Sequence, residues 1–242
     1  MKKVAIVQSN YLPWKGYFDM IGAVDEFILY DDVQYTRRDW RNRNKLKTPQ
    51  GLQWLTVPVK VKGRYLQTIK ETEIDGDAWR DAHWKSLAHN YGKAKYYYDI
   101  ATLIEPILLH GKQTLLSDLN SDLLKAICGY LGITTSIRQA SEFVLQEGKS
   151  ERLLGVCLAT GATTYVSGPA AQDYLDQSLF ADAGVAVEWF EYSGYPVYPQ
   201  LWGEFEHSVS ILDLLFNCGH ESPLYMQHLN KPTIATPKQD LE

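Results

Sequence analysis

The stretch KKVAIVQSNYLPWKGYFDMIGAVDEFILYDD, residues 2–32, decides the reading of the fold. Its first part, Lys2 to Gln8, is an apolar run of strand length. Such a run without alternation suits a central strand buried on both faces. Pro13 and Gly16 then mark a loop, and Tyr17, Phe18, Met20 and Ile21 recur at helical spacing. A second apolar run, EFILY, stops at Asp31. Strand, loop, helix and strand in this order form the opening of a parallel α/β sheet.

The same grammar returns further along. SDLLKAICGYLG reads as an amphipathic helix with Ser121 as cap and Gly132 as stop. ITTSIRQAS reads as a strand and SERLLGVCLATG as a capped helix. Thr163 to Val166 reads as a strand, followed by a turn at Ser167 and Gly168 and by Pro169 as a first helical residue. GVAVEWFEY is strand-like. SVSILDLLFNCG is a final helix starting near Ser208 or Ser210 and stopping at Gly219. Between these blocks, LQWLTVPVKV has β composition with an edge or bulge at Pro58, and YLQTIKETEI is expected to pair with it. Asp77 to about Leu131 is helical, with breaks near Gly92, Pro106 and Gly111 to Ser117. The expected fold is therefore α/β: a mostly parallel, Rossmann-like sheet with helices on both faces and a helical insertion. It makes one domain over residues 1–222, with the helical portion at about 77–132 and a polar tail over 223–242.

Charge is distributed unevenly. The 242 residues carry a formal charge of -5, yet Arg37, Arg38, Arg41, Arg43, Lys45 and Lys47 crowd one short segment against the single carboxylate of Asp39. The overall balance excludes a general surface for long nucleic acid, while the local excess suits one small anionic ligand. The apolar run at the N-terminus is too short for a signal peptide, and no run approaches the roughly 18 residues needed to span a bilayer. A soluble, cytoplasmic protein is expected. Three widely spaced cysteines fit neither a disulfide framework nor a zinc site.

Parallel sheets bind ligands beyond the carboxyl ends of their strands. Three polar segments fall there: QSNYLPWKGY, DDVQYTRRDWRNRN and SGPAAQDY. They are expected to converge on one site. Arg38, Arg41 and Arg43 offer planar forks for diphosphate or carboxylate, Trp40 and Tyr35 offer stacking faces, and Gln34, Asn42 and Asn44 add hydrogen-bonding capacity suited to a sugar. Gln8, Asn10 and Tyr11 would orient a ligand beside Trp14, Gly16 and Tyr17. Ser167 and Gly168 either open an anion site at a helix start or act only as a cap. Asp31 and Asp32 invite a magnesium reading, but on a continuing strand they would point to opposite faces. The preferred reading has one aspartate lining the site and the other tying down the arginine loop, with no metal assigned. Gly148 to Ser150 reads GKS, but the glycine that a phosphate loop needs five residues earlier is Phe143, so this is a helix cap. Cys128 and Cys157 sit in amphipathic helices, and Cys218 sits at a helix carboxyl end that disfavours a thiolate, so covalent cysteine catalysis is not expected. Asp32 and His207 are the candidate bases.

Six motifs in order, VAIVQSNYLPWKGYFDMI, DDVQYTRRDWRNRNKLKT, WLTVPV, TYVSGPAAQDYLD, YPQLWGEF and SILDLLFNCG, resemble the WbqC-like family of bacterial proteins over most of the chain. The resemblance implies a place in O-antigen or other surface-polysaccharide (lipopolysaccharide) synthesis, where a glycine-transferring role has been proposed. The first motif, followed by a strand ending in DDVQY, also resembles pantothenate synthetases and related nucleotidylyltransferase-like proteins. In those, a glycine flanked by histidines starts the helix that binds ATP phosphates. Gly16 matches that glycine, but Trp14 and Tyr17 stand in place of the histidines. Together these imply a transferase that attaches a small acyl group, such as glycyl, to a nucleotide-linked amino sugar. An ATP-dependent amide ligase or nucleotidylyltransferase, and a noncatalytic carbohydrate-binding or assembly module, are the alternatives. The expected partner is a small nucleotide-sugar or similar anionic ligand; no cofactor is demanded, and oligomeric state is not specified.

Overall fold

The structure, a computed structural model, describes residues 1–230. The chain begins with β1 (Lys3–Val7), α1 (Lys15–Gly22) and β2 (Glu26–Leu29), followed by a hairpin of β3 (Arg43–Thr48) and β4 (Gly51–Thr56). Three helices come next: α2 (Ala78–Tyr91), α3 (Tyr97–Leu108) and α4 (Leu116–Tyr130). The α/β pattern then resumes with β5 (Ser136–Gln139), α5 (Lys149–Thr160), β6 (Thr164–Ser167), α6 (Gln177–Asp182), β7 (Ala186–Trp189) and α7 (Ile211–Cys218).

Five of these strands form one all-parallel sheet in the order β5-β2-β1-β6-β7, the order of a Rossmann-like core. Helices cover both faces, and alternation along β1 shows why. Val4 and Ile6 point to the side where Leu153, Val156 and Phe180 of α5 and α6 pack. Ala5 points to the other side, into the larger core with Phe18 of α1, Ile127 of α4 and Leu215 of α7. The middle of a strand buried this way has no face for a polar residue, which accounts for the apolar run from Val4 to Val7.

Several boundaries differ from the sequence reading. Helix α4 starts at Leu116, and Ser121, expected as its cap, is buried inside it. The apolar spacing Leu116, Leu119, Leu123 and Ile127 continues through that serine, so packing overrides the capping preference. Pro106 lies within the last turn of α3 and ends nothing by itself. The carboxyl end of α3 is met by Arg80, whose buried guanidinium donates to the carbonyl oxygens of Ile107 and Leu108, each at 3.0 Å. Ser210 caps α7 by accepting from the Leu212 amide, and Gly219 follows the helix with φ of 53°. Pro169 opens a 3-10 turn, Pro169–Asp173, in place of an α-helix.

The hairpin is the largest departure. β3 lies inside the basic segment expected as a loop and pairs antiparallel with β4 from Arg43 opposite Thr56 to Thr48 opposite Gly51. YLQTIKETEI forms no strand; only isolated bridges such as Gln34 with Thr68 and Val59 with Ile74 connect this region. Beyond Pro223, in the segment expected as a polar tail, Met226 is buried and the amides of Gln227 and His228 donate to the fully buried carboxylate of Asp19. Residues 231–242 lie outside the described residues.

The hairpin is joined to the helical layer by His83 of α2. Its ring is buried, bonded to the Tyr11 hydroxyl at 2.9 Å through Nδ1 and to the Thr56 backbone. Burial lowers its pKa to about 4, against the Thr56 bond that favours the charged form. The folded protein therefore stays neutral at this position while the unfolded chain takes up a proton between pH 6.5 and 4. Stability is retained above that window and lost as pH falls through it. Urea unfolding at pH 7 and pH 4.5 should show the wild type losing about 2 kcal/mol more than His83→Gln across this interval. Parallel pH dependences in the two proteins would contradict this role.

Candidate functional site

The strand order places β1 and β6 side by side, while the chain leaves β1 toward β2 and leaves β6 toward β7. Winding reverses between them, which is where an open α/β sheet leaves a crevice beyond its strand ends. A cleft of about 680 Å³ opens there. Gln8 and the Ser167–Gly168 corner lie at its floor, and Tyr30, Asp32 and Gln34 follow from the end of β2. Lys149 and Arg152 from the first turn of α5, with Tyr174, complete it.

Each wall has a local cause. Gly148, with φ of 91°, turns the chain into α5 and leaves Lys149 exposed at the helix start. Arg152, one turn on, is steadied by a 3.0 Å bond from Nε to the Gln146 carbonyl. Burial raises the Tyr30 phenol pKa, and the adjacent Arg152 guanidinium partly opposes that rise. Asp32, the one carboxylate among the described residues lining the cleft, is ion-paired with Lys70. Its neighbour Asp31 is buried, accepting from the Ser9 amide at 2.8 Å and from the Ser117 hydroxyl. One aspartate thus lines the cleft, but the other ties down the opening loop and α4 rather than the arginine segment.

Of the residues expected from sequence, Gln8, Asp32, Gln34, Ser167 and Gly168 meet in this cleft. The basic segment does meet the opening loop, but through internal bonds. Arg41 donates to Asn10 Oδ1 at 2.6 Å and to the Gln8 carbonyl at 3.3 Å. Asn44 donates to the Leu12 carbonyl, Asn42 to that of Val57, and the Tyr11 amide to that of Trp40. Asn42 and Asn44 are buried, so their amides fasten backbone rather than face a sugar. Tyr11, Tyr17 and Tyr35 are also buried, with the Tyr17 hydroxyl on the Gln8 carbonyl at 2.9 Å. Gly16 does not face a phosphate: Trp14 lies over it so closely that a Cβ there would come within 2.3 Å of the indole.

Arg38, Trp40 and Arg43 do not line the main cleft. The three polar segments expected to converge are thus only partly brought together at this cleft. Trp40 instead borders a second, smaller cleft of about 240 Å³ with Asn10, Trp14, Asn44 and Ser208. His207 lines neither cleft. Burial and the nearby Lys15 cation lower its pKa, and its Nδ1 has no partner among the described residues. The three cysteines are free and buried, which pushes the thiols of Cys128 and Cys157 up to about 12 and that of Cys218 to about 11. None is poised as a nucleophile.

Lys149, Arg152, Tyr30 and Tyr174 were not anticipated. A signal for the first two was present, because two cations in the first turn of a helix oppose its dipole. Glu151 lies between them in the same turn and offsets part of that charge.

Residues 8–225 match the model of the WbqC-like protein family. The chain belongs to that family. It is 57% identical over 228 residues to a Mycobacterium tuberculosis protein, "Uncharacterized protein Rv1507c", covering 94% of this chain and 99% of that one. No solved structure matches. No helix among the described residues is long and apolar enough to cross a membrane.

Asp31 fixes the loop that floors the main cleft. Replacing it by Ala removes a buried acceptor from the Ser9 amide and the Ser117 hydroxyl, and should cost about 2–4 kcal/mol in urea unfolding. Lys70→Met, at a half-exposed ion pair, should cost under about 1 kcal/mol. Equal effects would remove the distinction between the two aspartates.

Proposed function

We propose that the protein is an enzyme that holds a nucleotide-linked amino sugar in the β1–β6 cleft and transfers a small acyl group, such as glycyl, onto its amine during surface-glycan precursor synthesis. The observation that carries this reading is the pair Lys149 and Arg152, brought by α5 to the winding reversal opposite the Ser167–Gly168 corner. Cations at that position suit a diphosphate, and the half-exposed phenol of Tyr30 beside them suits a ring. At about 680 Å³ the cleft is of a size that takes a nucleotide-sugar.

In the transfer step the sugar amine attacks the acyl carbonyl, the donor's leaving group departs with its electron pair, and the amine proton passes to a base. Asp32 is assigned that role because it is the carboxylate at the cleft, with Lys70 holding its orientation. His207 lies elsewhere and is not used.

Calorimetric titration with a uridine-diphosphate amino sugar tests the reading. Lys149→Ala and Arg152→Ala should each weaken binding about tenfold, equivalent to about 1.4 kcal/mol, while Arg43→Ala leaves it unchanged. With an aminoacyl donor supplied, Asp32→Asn should retain binding and lose product by mass spectrometry. Binding that depends on Arg43 and ignores Lys149 and Arg152 would overturn the assignment.

A further inference from the structure

The basic segment that the main cleft leaves unused has its own architecture. Lys45 on β3 stands directly opposite Trp54 on β4, and Trp40 precedes β3. Trp40 and Trp54 are each 40% exposed, and their ring centroids lie 5.4 Å apart. The Arg43 guanidinium sits 4.1 Å from the Trp54 centroid, and the Lys45 ammonium sits 5.3 Å from Trp54 and 5.8 Å from Trp40. Neither Arg43 nor Lys45 has a carboxylate partner among the described residues; the Arg43 guanidinium donates to the Arg38 carbonyl, and its buried Nε–H lacks an acceptor. Leu46 and Leu55 carry the hairpin's contacts with the main core, and neither tryptophan belongs to that cluster.

We infer that the Trp40–Trp54 face, together with the 240 Å³ cleft beside it, is a second binding site that takes an acidic saccharide. The paired indoles offer an apolar platform for the C–H face of a pyranose ring. The Asn10 amide group, whose oxygen alone is committed to Arg41, and Ser208 border the adjoining cleft and meet hydroxyls. Arg43 and Lys45 supply charge for a sugar carboxylate. Two stacking rings beside cations also suit single-stranded nucleic acid, but the chain's formal charge of -5 opposes a polyanion track beyond this patch. The site shares no lining residue with the β1–β6 cleft and does not depend on the function assigned there.

The test is calorimetry on the full chain with three probes: a tetrasaccharide alternating glucuronate and N-acetylglucosamine, a neutral N-acetylglucosamine tetramer, and an eight-nucleotide oligothymidylate. The acidic tetrasaccharide should bind at least fivefold more tightly than either of the others. Trp54→Ala should weaken it tenfold or more, Trp54→Tyr should keep it within a few fold, and Arg43→Gln should abolish the preference over the neutral tetramer. Titration of the uridine-diphosphate amino sugar should be unchanged in all three variants, which separates this site from the main cleft. Absence of binding, equal affinity for the neutral sugar, tighter binding of the oligonucleotide, or binding that survives Trp54→Ala would each overturn the inference.

Discussion

Everything in this molecule is organised by the complete enclosure of β1. Its two edges are taken by β2 and β6, and its two faces by separate helical layers. After Lys3 at its entry, such a strand carries no polar side chain until it leaves the sheet, at Gln8. Because its two neighbours are connected in opposite directions, the exit point becomes a crevice. The main cleft is thus a consequence of the sheet order, and the side chains around it only set its chemistry.

Charge then divides into two uses. The basic turn is largely spent on construction: Arg41 fastens the opening loop, while Asn42 and Asn44 satisfy backbone carbonyls that would otherwise be buried without donors. Lys149 and Arg152 stand near the start of α5, against the helix dipole, and neither has a carboxylate ion-pair partner within 4 Å among the described residues, although Arg152 donates to the Gln146 carbonyl. Charge that contributes least to its own element is charge available to a ligand, which is why the α5 pair weighs more in the functional reading than the denser cluster of arginines.

The parallel core was legible in the sequence because uninterrupted runs such as Val4–Val7 and Glu26–Leu29 have few structural alternatives. The cap at Ser121 was misread because a serine inside an apolar repeat looks like a start when the preceding turn is not recognised as helix. β3 was hidden for a different reason. Its Arg, Asn and Lys residues lack the alternation of a half-buried strand, since Asn44 and Lys47 are buried through hydrogen bonds rather than apolar contact. Gln8, Asp32, Gln34, Ser167 and Gly168 could be placed by chain position alone. Arg43 could not, because its pairing with Thr56 of β4 sets its guanidinium over Trp54, and Trp40, which precedes the strand, packs against that same indole.

The proposed function requires an anionic ligand to seat at the winding reversal between β1 and β6. A crystal structure of the protein grown with a uridine-diphosphate amino sugar tests it directly. Diphosphate density is expected within hydrogen-bonding distance of Lys149 and Arg152, facing the Ser167–Gly168 corner. Density held by Arg38 and Arg43 on the hairpin, with the crevice filled only by water, would contradict it.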